Sequence, residues 1–242
     1  MLQSAISPDP MPPAAASSAT APVGAALPLQ GEEQARADLY ALLARLMYRA
    51  PDAALLAALA AADPICAGQG DHALETAWER LVLGAGVVEP EVVDDEFNAL
   101  FVSTGNPKIN PYGSFYLSGS LYDKPLAELR ADLGRLHLAR APGAGESEDH
   151  LAALFETMRV LIGGAPAIAR RPLAVQKQFF LTHLATWYPA CLADIAATLD
   201  ANFYRLVADF ARAFLAIEAE AFAAWDDGAD SPDSRGNIHG TQ

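Results

Sequence analysis

The chain has 242 residues, 52% of them hydrophobic, and carries 30 aspartates and glutamates against 16 lysines and arginines, a formal charge of −14. That length allows one large domain or two small ones, and the charge argues against a nucleic-acid partner, which needs a basic footprint. An acidic surface keeps a protein in solution and also suits a basic partner such as an arginine-containing peptide.

Residues 1 to about 30 are rich in Ala, Pro and Ser and hold one charged side chain, Asp9. They bury too little apolar surface to offset the entropy of ordering, so a disordered tail is expected. The segment does not read as a secretory signal: no Lys or Arg precedes Arg36, and prolines interrupt its apolar residues. From Gly31 the pattern turns helical. Leu39, Leu42, Leu43 and Leu46 mark an amphipathic helix ended at Ala50-Pro51, and Leu55, Leu56 and Leu59 a shorter one ended at Asp63-Pro64. Cys66 to Asp71 reads as a loop, and Leu74, Trp78, Leu81 and Val82 as a third helix closed by Gly84 and Gly86.

In the stretch from Glu89, the residues Val93, Phe97, Leu100 and Phe101 share one helical face. Pro90 suits the first turn, and Glu91, Asp94, Asp95 and Glu96 place negative charge towards the N-terminal end. The following STGNPKINPYGSFYLSG cannot continue that helix, because Gly105, Pro107, Pro111 and Gly113 break it. It reads as a long aromatic loop, either functional or tucked into the core. Asp123 then caps a helix bearing Leu126, Leu129, Leu133 and Leu136.

Residues 139–147 are small, Pro/Gly-rich and polar, which suggests a hinge between two lobes sharing one core. The next helix begins after Ser147, buries Leu151, Leu154, Phe155, Met158 and Ile162, and ends at Gly163-Gly164. Another is expected from Pro172 to Trp187, terminated by Pro189, with Phe179, Phe180, His183, Leu184 and Trp187 on adjoining rows. A short helix around Leu192 and Ile195 leads into a final long one with the stripe Phe203, Val207, Phe210, Phe214, Ile217 and Ala221; residues 226–242 read as a frayed tail. No segment alternates like a strand, and no apolar run approaches the roughly 18 residues of a membrane span. The expected fold is an all-α globule of about nine helices.

Two cysteines, Cys66 and Cys191, stand far apart and outside any CxxC arrangement. That fits a reducing compartment, hence the cytoplasm, and argues against a disulfide framework or zinc site. Glu146, Glu148, Asp149 and His150 crowd one turn. Such a group could bind a metal or move a proton, but complementing a helix dipole and a local histidine hydrogen bond is the favoured account. His183 and Trp187, four apart on an apolar face, read as core groups with satisfied polar tips. There is no nucleophile elbow, Walker A loop or dinucleotide fingerprint.

Taken together, four stretches make the chain resemble the TorD/DmsD family of redox-enzyme maturation chaperones, which also takes in NarJ-like proteins. Glu96-Phe97-Asn98-Ala99-Leu100-Phe101 resembles the family's aromatic-x-x-Leu-Phe helix end, and Asn110-Pro111-Tyr112-Gly113-Ser114-Phe115-Tyr116 is similar to its Pro-aromatic-(Gly/Glu)-Ser-x-aromatic loop. Glu146-Ser147-Glu148-Asp149-His150 matches its Glu-Pro-x-Asp-His hinge motif, with Ser147 in place of proline, a departure bearing on hinge rigidity more than on chemistry. Gln178-Phe179-Phe180, His183-Leu184 and Trp187 add a partial fourth match, and the resemblance spans about residues 32 to 225.

The resemblance implies an all-helical cytoplasmic chaperone, not an enzyme. Such a protein binds the precursor of a molybdenum-cofactor oxidoreductase, often through its twin-arginine leader, and delays export until the cofactor is inserted. Carried over by position, the peptide-binding residues are Pro111, Tyr112, Gly113, Ser114, Tyr116, Glu148, Asp149 and His150. Phe97, Leu100, Phe101, His183 and Trp187 supply hydrophobic helix faces or a groove. Carboxylates accept charge-assisted hydrogen bonds from guanidinium groups and tyrosines stack on them, yet Asp149 and His150 could equally serve to pin the two lobes together. No metal or resident cofactor is expected. The alternatives are an assembly factor binding GTP or the molybdenum cofactor in the interlobe cleft, or an adaptor without leader recognition. A Gly-rich hinge makes domain swapping easy, so monomer and swapped dimer both stay open.

Overall fold

The structure, a computed structural model, describes residues 31–65, 72–102, 107–141, 143 and 145–225. The two expected tails, the loop from Cys66 to Asp71 and residues 103–106 of the aromatic stretch lie outside the described residues. Within them the all-α expectation holds: there are ten α-helices, one π-helical segment and no strand. In order these are α1 (Gly31–Tyr48), α2 (Ala53–Ala60), α3 (Ala73–Ala85), α4 (Pro90–Phe97), the π segment (Asn98–Val102), α5 (Gly113–Ser118), α6 (Lys124–Arg135), α7 (Leu151–Gly163), α8 (Leu173–His183), α9 (Tyr188–Ala197) and α10 (Phe203–Ala224). No helix among the described residues is long and apolar enough to cross a membrane.

The core is one cluster, organised by two long packings. α1 lies antiparallel to α7: Tyr40 meets Phe155 at 6.1 Å between ring centroids, Tyr48 reaches Gly145 beyond the α7 N-terminus, and Glu33 approaches Arg170 beyond its C-terminus. α10 packs on α3 and α9, with Trp78 against Phe210 at 5.2 Å and Phe222 against Phe180 of α8 at 5.2 Å. Each large aromatic so buried contributes about 2–3 kcal/mol of hydrophobic stabilisation.

Three expectations are corrected. The aromatic stretch is not all loop: Gly113–Ser118 forms α5, the tenth helix, closed by Gly119 in the left-handed conformation (φ 77°). Its sequence is a poor helix former, and burial of Gly113 and Ser114 holds it. Pro189 does not terminate a helix reaching Trp187; α8 ends at His183, and Pro189 sits in the first turn of α9, where its missing N–H costs nothing. The α10 stripe turns about its axis at its end: Ile217 and Ala221 face solvent, and Glu218 and Phe222 are buried instead. Glu218 is accepted inside because Arg36 of α1 binds it with both Nε (2.6 Å) and a terminal nitrogen (2.8 Å) and the Tyr40 hydroxyl donates to it at 3.1 Å.

Glu96 has a role that the sequence reading misassigned. Standing at the C-terminal end of α4, it does little for its own helix dipole; its carboxylate instead accepts the backbone N–H groups of Asn202 (2.8 Å), Phe203 (3.0 Å) and Tyr204 (2.8 Å). It thereby caps α10, whose own Asn202 side chain makes no capping bond.

Candidate functional site

The Pro111–Tyr116 stretch and the segment after residue 145 are sewn together. Gly113 N–H donates to the Asp149 carbonyl at 2.9 Å and Leu151 N–H to the Pro111 carbonyl at 2.8 Å, forming an antiparallel bridge between Tyr112 and His150. The Asp149 carboxylate is buried between the two segments of this clasp. One oxygen accepts the Ser114 N–H (2.9 Å) and hydroxyl (2.5 Å), and the other the Ser147 hydroxyl (2.5 Å). A buried carboxylate is tolerated only with this kind of donor set, and stripping one away strands the rest. The Ser114 hydroxyl also accepts the N–H of Tyr122, which holds an exposed tyrosine in the left-handed region (φ 62°).

His150 is the N-cap of α7. Its Nδ1 accepts the Ala152 N–H at 3.1 Å, the local hydrogen bond expected of it, and its ring meets Tyr112 edge-on at 4.9 Å. Burial lowers its pKa to about 4, against the opposing pull of Glu146 and Asp149. Helix α7 starts at Leu151, so Glu148 and Asp149 precede it rather than lying in its first turn. Glu148 is bound by Arg130 of α6 at 2.8 and 3.0 Å. Burial works against its charge, and the guanidinium outweighs that to hold its pKa below the usual range. The Tyr112 hydroxyl donates to Glu146; burial and then that carboxylate push the phenol pKa up.

Beneath α5 lies Trp187, stacked on Tyr116 at 5.6 Å with the rings 21° apart. A Cβ on Gly113 would come within 3.1 Å of the indole Nε1, so the small residue lets the loop close over that ring. The indole donates to the His183 carbonyl at 2.7 Å, and His183 Nε2 donates to Asp132 of α6 at 2.7 Å. The Tyr116 hydroxyl reaches Asp194 of α9 at 2.8 Å. Phe97 and Phe101 lie elsewhere, packed on Tyr204 of α10 at 5.6 and 5.2 Å, and Leu100 is wholly buried.

Two kinds of surface result. Around α5, Phe115, Leu117, Leu121 and Tyr122 are exposed and Tyr112 and Tyr116 half-exposed. The other is a groove of about 500 Å³ between α1 and α7, walled also by Leu133 of α6 and by residues 138–141. Its lining is mainly apolar and small, as with Ala41, Ala44 and Ala153, and Glu146 and Glu148 stand at one end.

The family model for the nitrate reductase delta subunit matches residues 68–193, just over half of the chain. The chain belongs to this family. Two curated proteins it resembles, each described as "Chaperone protein TorD", come from Vibrio cholerae serotype O1 (32% identical over 127 residues, 50% of this chain and 57% of that protein) and Psychrobacter sp. (33% over 123 residues, 48% and 55%). The chain thus spans a little over half the length of the curated relatives it matches. A crystal structure described as a candidate redox enzyme maturation protein from Archaeoglobus fulgidus shares the fold, with a TM-score of 0.51 at 19% identity over 79% of this chain and 97% of that one. The TorD/NarJ-like resemblance read from the motifs is borne out.

Within this family frame, the structure brings Pro111, Tyr112, Gly113, Ser114, Tyr116, Glu148, Asp149 and His150 into one neighbourhood, although the two motifs are more than thirty residues apart. It does not bring Phe97, Leu100 and Phe101 there; Phe97 of α4 and Phe101 of the π segment pack on Tyr204 of α10, and Leu100 is buried in the core. His183 and Trp187 support α5 from inside. Among the described residues no group of three His, Cys, Asp or Glu side chains stands close enough to hold a metal ion. Sequence reasoning missed the groove, because its floor is alanine, which hydrophobic periodicity barely registers, drawn from two helices about a hundred residues apart.

Proposed function

We infer that the protein is a maturation chaperone, a binding protein rather than an enzyme. Its client is the precursor of a molybdenum-cofactor oxidoreductase, recognised through a basic leader peptide, the apoenzyme surface or both, and held until the cofactor is inserted and export can proceed. Family membership supports the class. The observation that carries the rest is the clasp: a half-exposed aromatic surface is fixed rigidly beside carboxylates on an acidic protein. A leader that carries arginines beside apolar residues complements such a surface, since guanidinium groups pair with carboxylates and stack on tyrosines while apolar side chains cover exposed rings.

In this reading Tyr112, Tyr116 and Glu148 meet the leader. Pro111, Gly113, Ser114, Asp149 and His150 shape the surface from beneath, all five being buried with their polar groups turned inward. Affinity capture of the tagged full chain from its own host, followed by mass spectrometry, tests the function. The expected result is one molybdoenzyme catalytic subunit still carrying its leader. Recovery of the subunit without a leader moves the site to the mature enzyme, and failure to recover any oxidoreductase while its operon is expressed overturns the reading.

A further inference from the structure

The groove between α1 and α7 has a chemical direction. Because the helices are antiparallel, Tyr48 at the end of α1 lies at the same end of the groove as Glu146 and Glu148, which precede α7, while Ala41 lies towards Val160 and Ile168 at the other end. The stretches Ala41–Tyr48 and Ala152–Val160 make the trough about 10–12 Å long at ~1.5 Å per helical residue. That length takes three or four residues of an extended chain, or roughly two helical turns.

Its charges are unevenly committed. Glu148 is held by Arg130 and Glu156 by Arg159. Of the two lining guanidinium groups, Arg45 is taken by Asp52 at 2.9 Å and Arg140 donates to the Glu146 main-chain carbonyl at 3.1 Å. The Glu146 carboxylate is bonded to the Tyr112 hydroxyl, and no cationic side chain among the described residues pairs with it. The trough therefore offers, among the described residues, a carboxylate without an ion-pair partner at one end and uncharged alanine, valine and isoleucine at the other.

The geometry points to the α1/α7 groove as the seat of the start of the client leader's apolar run, with Glu146 pairing an arginine that precedes it. The leader then runs from the Glu146 end towards Ile168. This rests on the leader-binding function proposed above and adds to it a place, a polarity and a cation-recognising residue. The aromatic surface around α5 adjoins the same end through the Tyr112–Glu146 bond, so the residues before the arginine pass over those rings.

The test uses the full chain and a fluorescent synthetic peptide with two adjacent arginines followed by a run of alanine and leucine. Ala153→Leu fills the trough from a half-exposed position and should weaken binding about tenfold or more, with the melting temperature preserved. Glu146→Gln keeps an acceptor for Tyr112 and should weaken the arginine peptide up to about fivefold, the scale of a solvent-accessible ion pair. It should leave unchanged the affinity of a peptide whose arginines are glutamines. A peptide with the apolar run first should bind more weakly than the parent. If the wild type binds the parent and neither variant alters its affinity, the groove assignment is wrong and the leader-binding function stands. Equal weakening of both peptides by Glu146→Gln overturns the cation role, and equal affinity for the reversed peptide overturns the direction. If the wild type binds no leader peptide, leader recognition itself falls, and this assignment with it.

Discussion

His150 accepts the Ala152 N–H through Nδ1, so the neutral ring carries its proton on Nε2, and it is buried in that state. In the unfolded chain the ring titrates near 6.5, whereas burial lowers the folded value to about 4. As pH falls below 6.5 the unfolded state takes up a proton that the native state refuses. The stability contributed by neutral His150 is therefore complete above pH ~6.5 and is lost at up to about 1.4 kcal/mol per pH unit down to about pH 4. His150→Asn retains an N-cap acceptor and removes the titration. Urea unfolding from pH 7 to 4.5 should show a shallower loss for the variant than for the wild type; parallel curves would mean that the ring is protonated in the native state. The adjacency of Glu146, Glu148, Asp149 and His150 could be read from the chain. The fate of Asp149 could not, because its principal partner, Ser114, lies 35 residues away and only the fold brings the two together.

At the scale of elements, most helices were legible because leucines and aromatics repeat at three- and four-residue steps, and prolines and glycines mark the ends. The failures share one cause, long-range contact overriding local pattern. α5 forms over Trp187 despite its sequence, and Glu218 is buried because Arg36 of a distant helix meets it. Glu96 is the clearest case, an acid at the wrong end of its own helix that serves the N-terminus of another. Removing it strands three backbone N–H groups, two of which are bonded in buried surroundings. Glu96→Ala should cost roughly 2–4 kcal/mol, and Glu96→Gln about half as much, since the amide oxygen still accepts. Both are measured as a shift in urea midpoint at unchanged m-value. A loss below about 0.5 kcal/mol for the alanine variant would show that α10 finds its cap in Asn202 or water instead.

For the whole molecule, charge and shape should act on different steps of the proposed leader binding. In the proposed leader complex, a net charge of −14 would attract a basic leader over distances comparable to the Debye length, about 10 Å at 0.1 M salt. Its contact with the α1/α7 trough and the α5 rings would be short-range and apolar, so salt would screen it little. The association rate of an arginine-containing leader peptide should therefore fall about tenfold or more from roughly 20 to 500 mM salt, with the dissociation rate changing much less. The same peptide with glutamines for arginines should associate slowly at every salt concentration. Stopped-flow fluorescence separates the two rates. A dissociation rate that carries most of the salt dependence would mean that close ion pairs, not apolar contact, hold the complex, and would move the weight of recognition from the groove floor to Glu146 and Glu148.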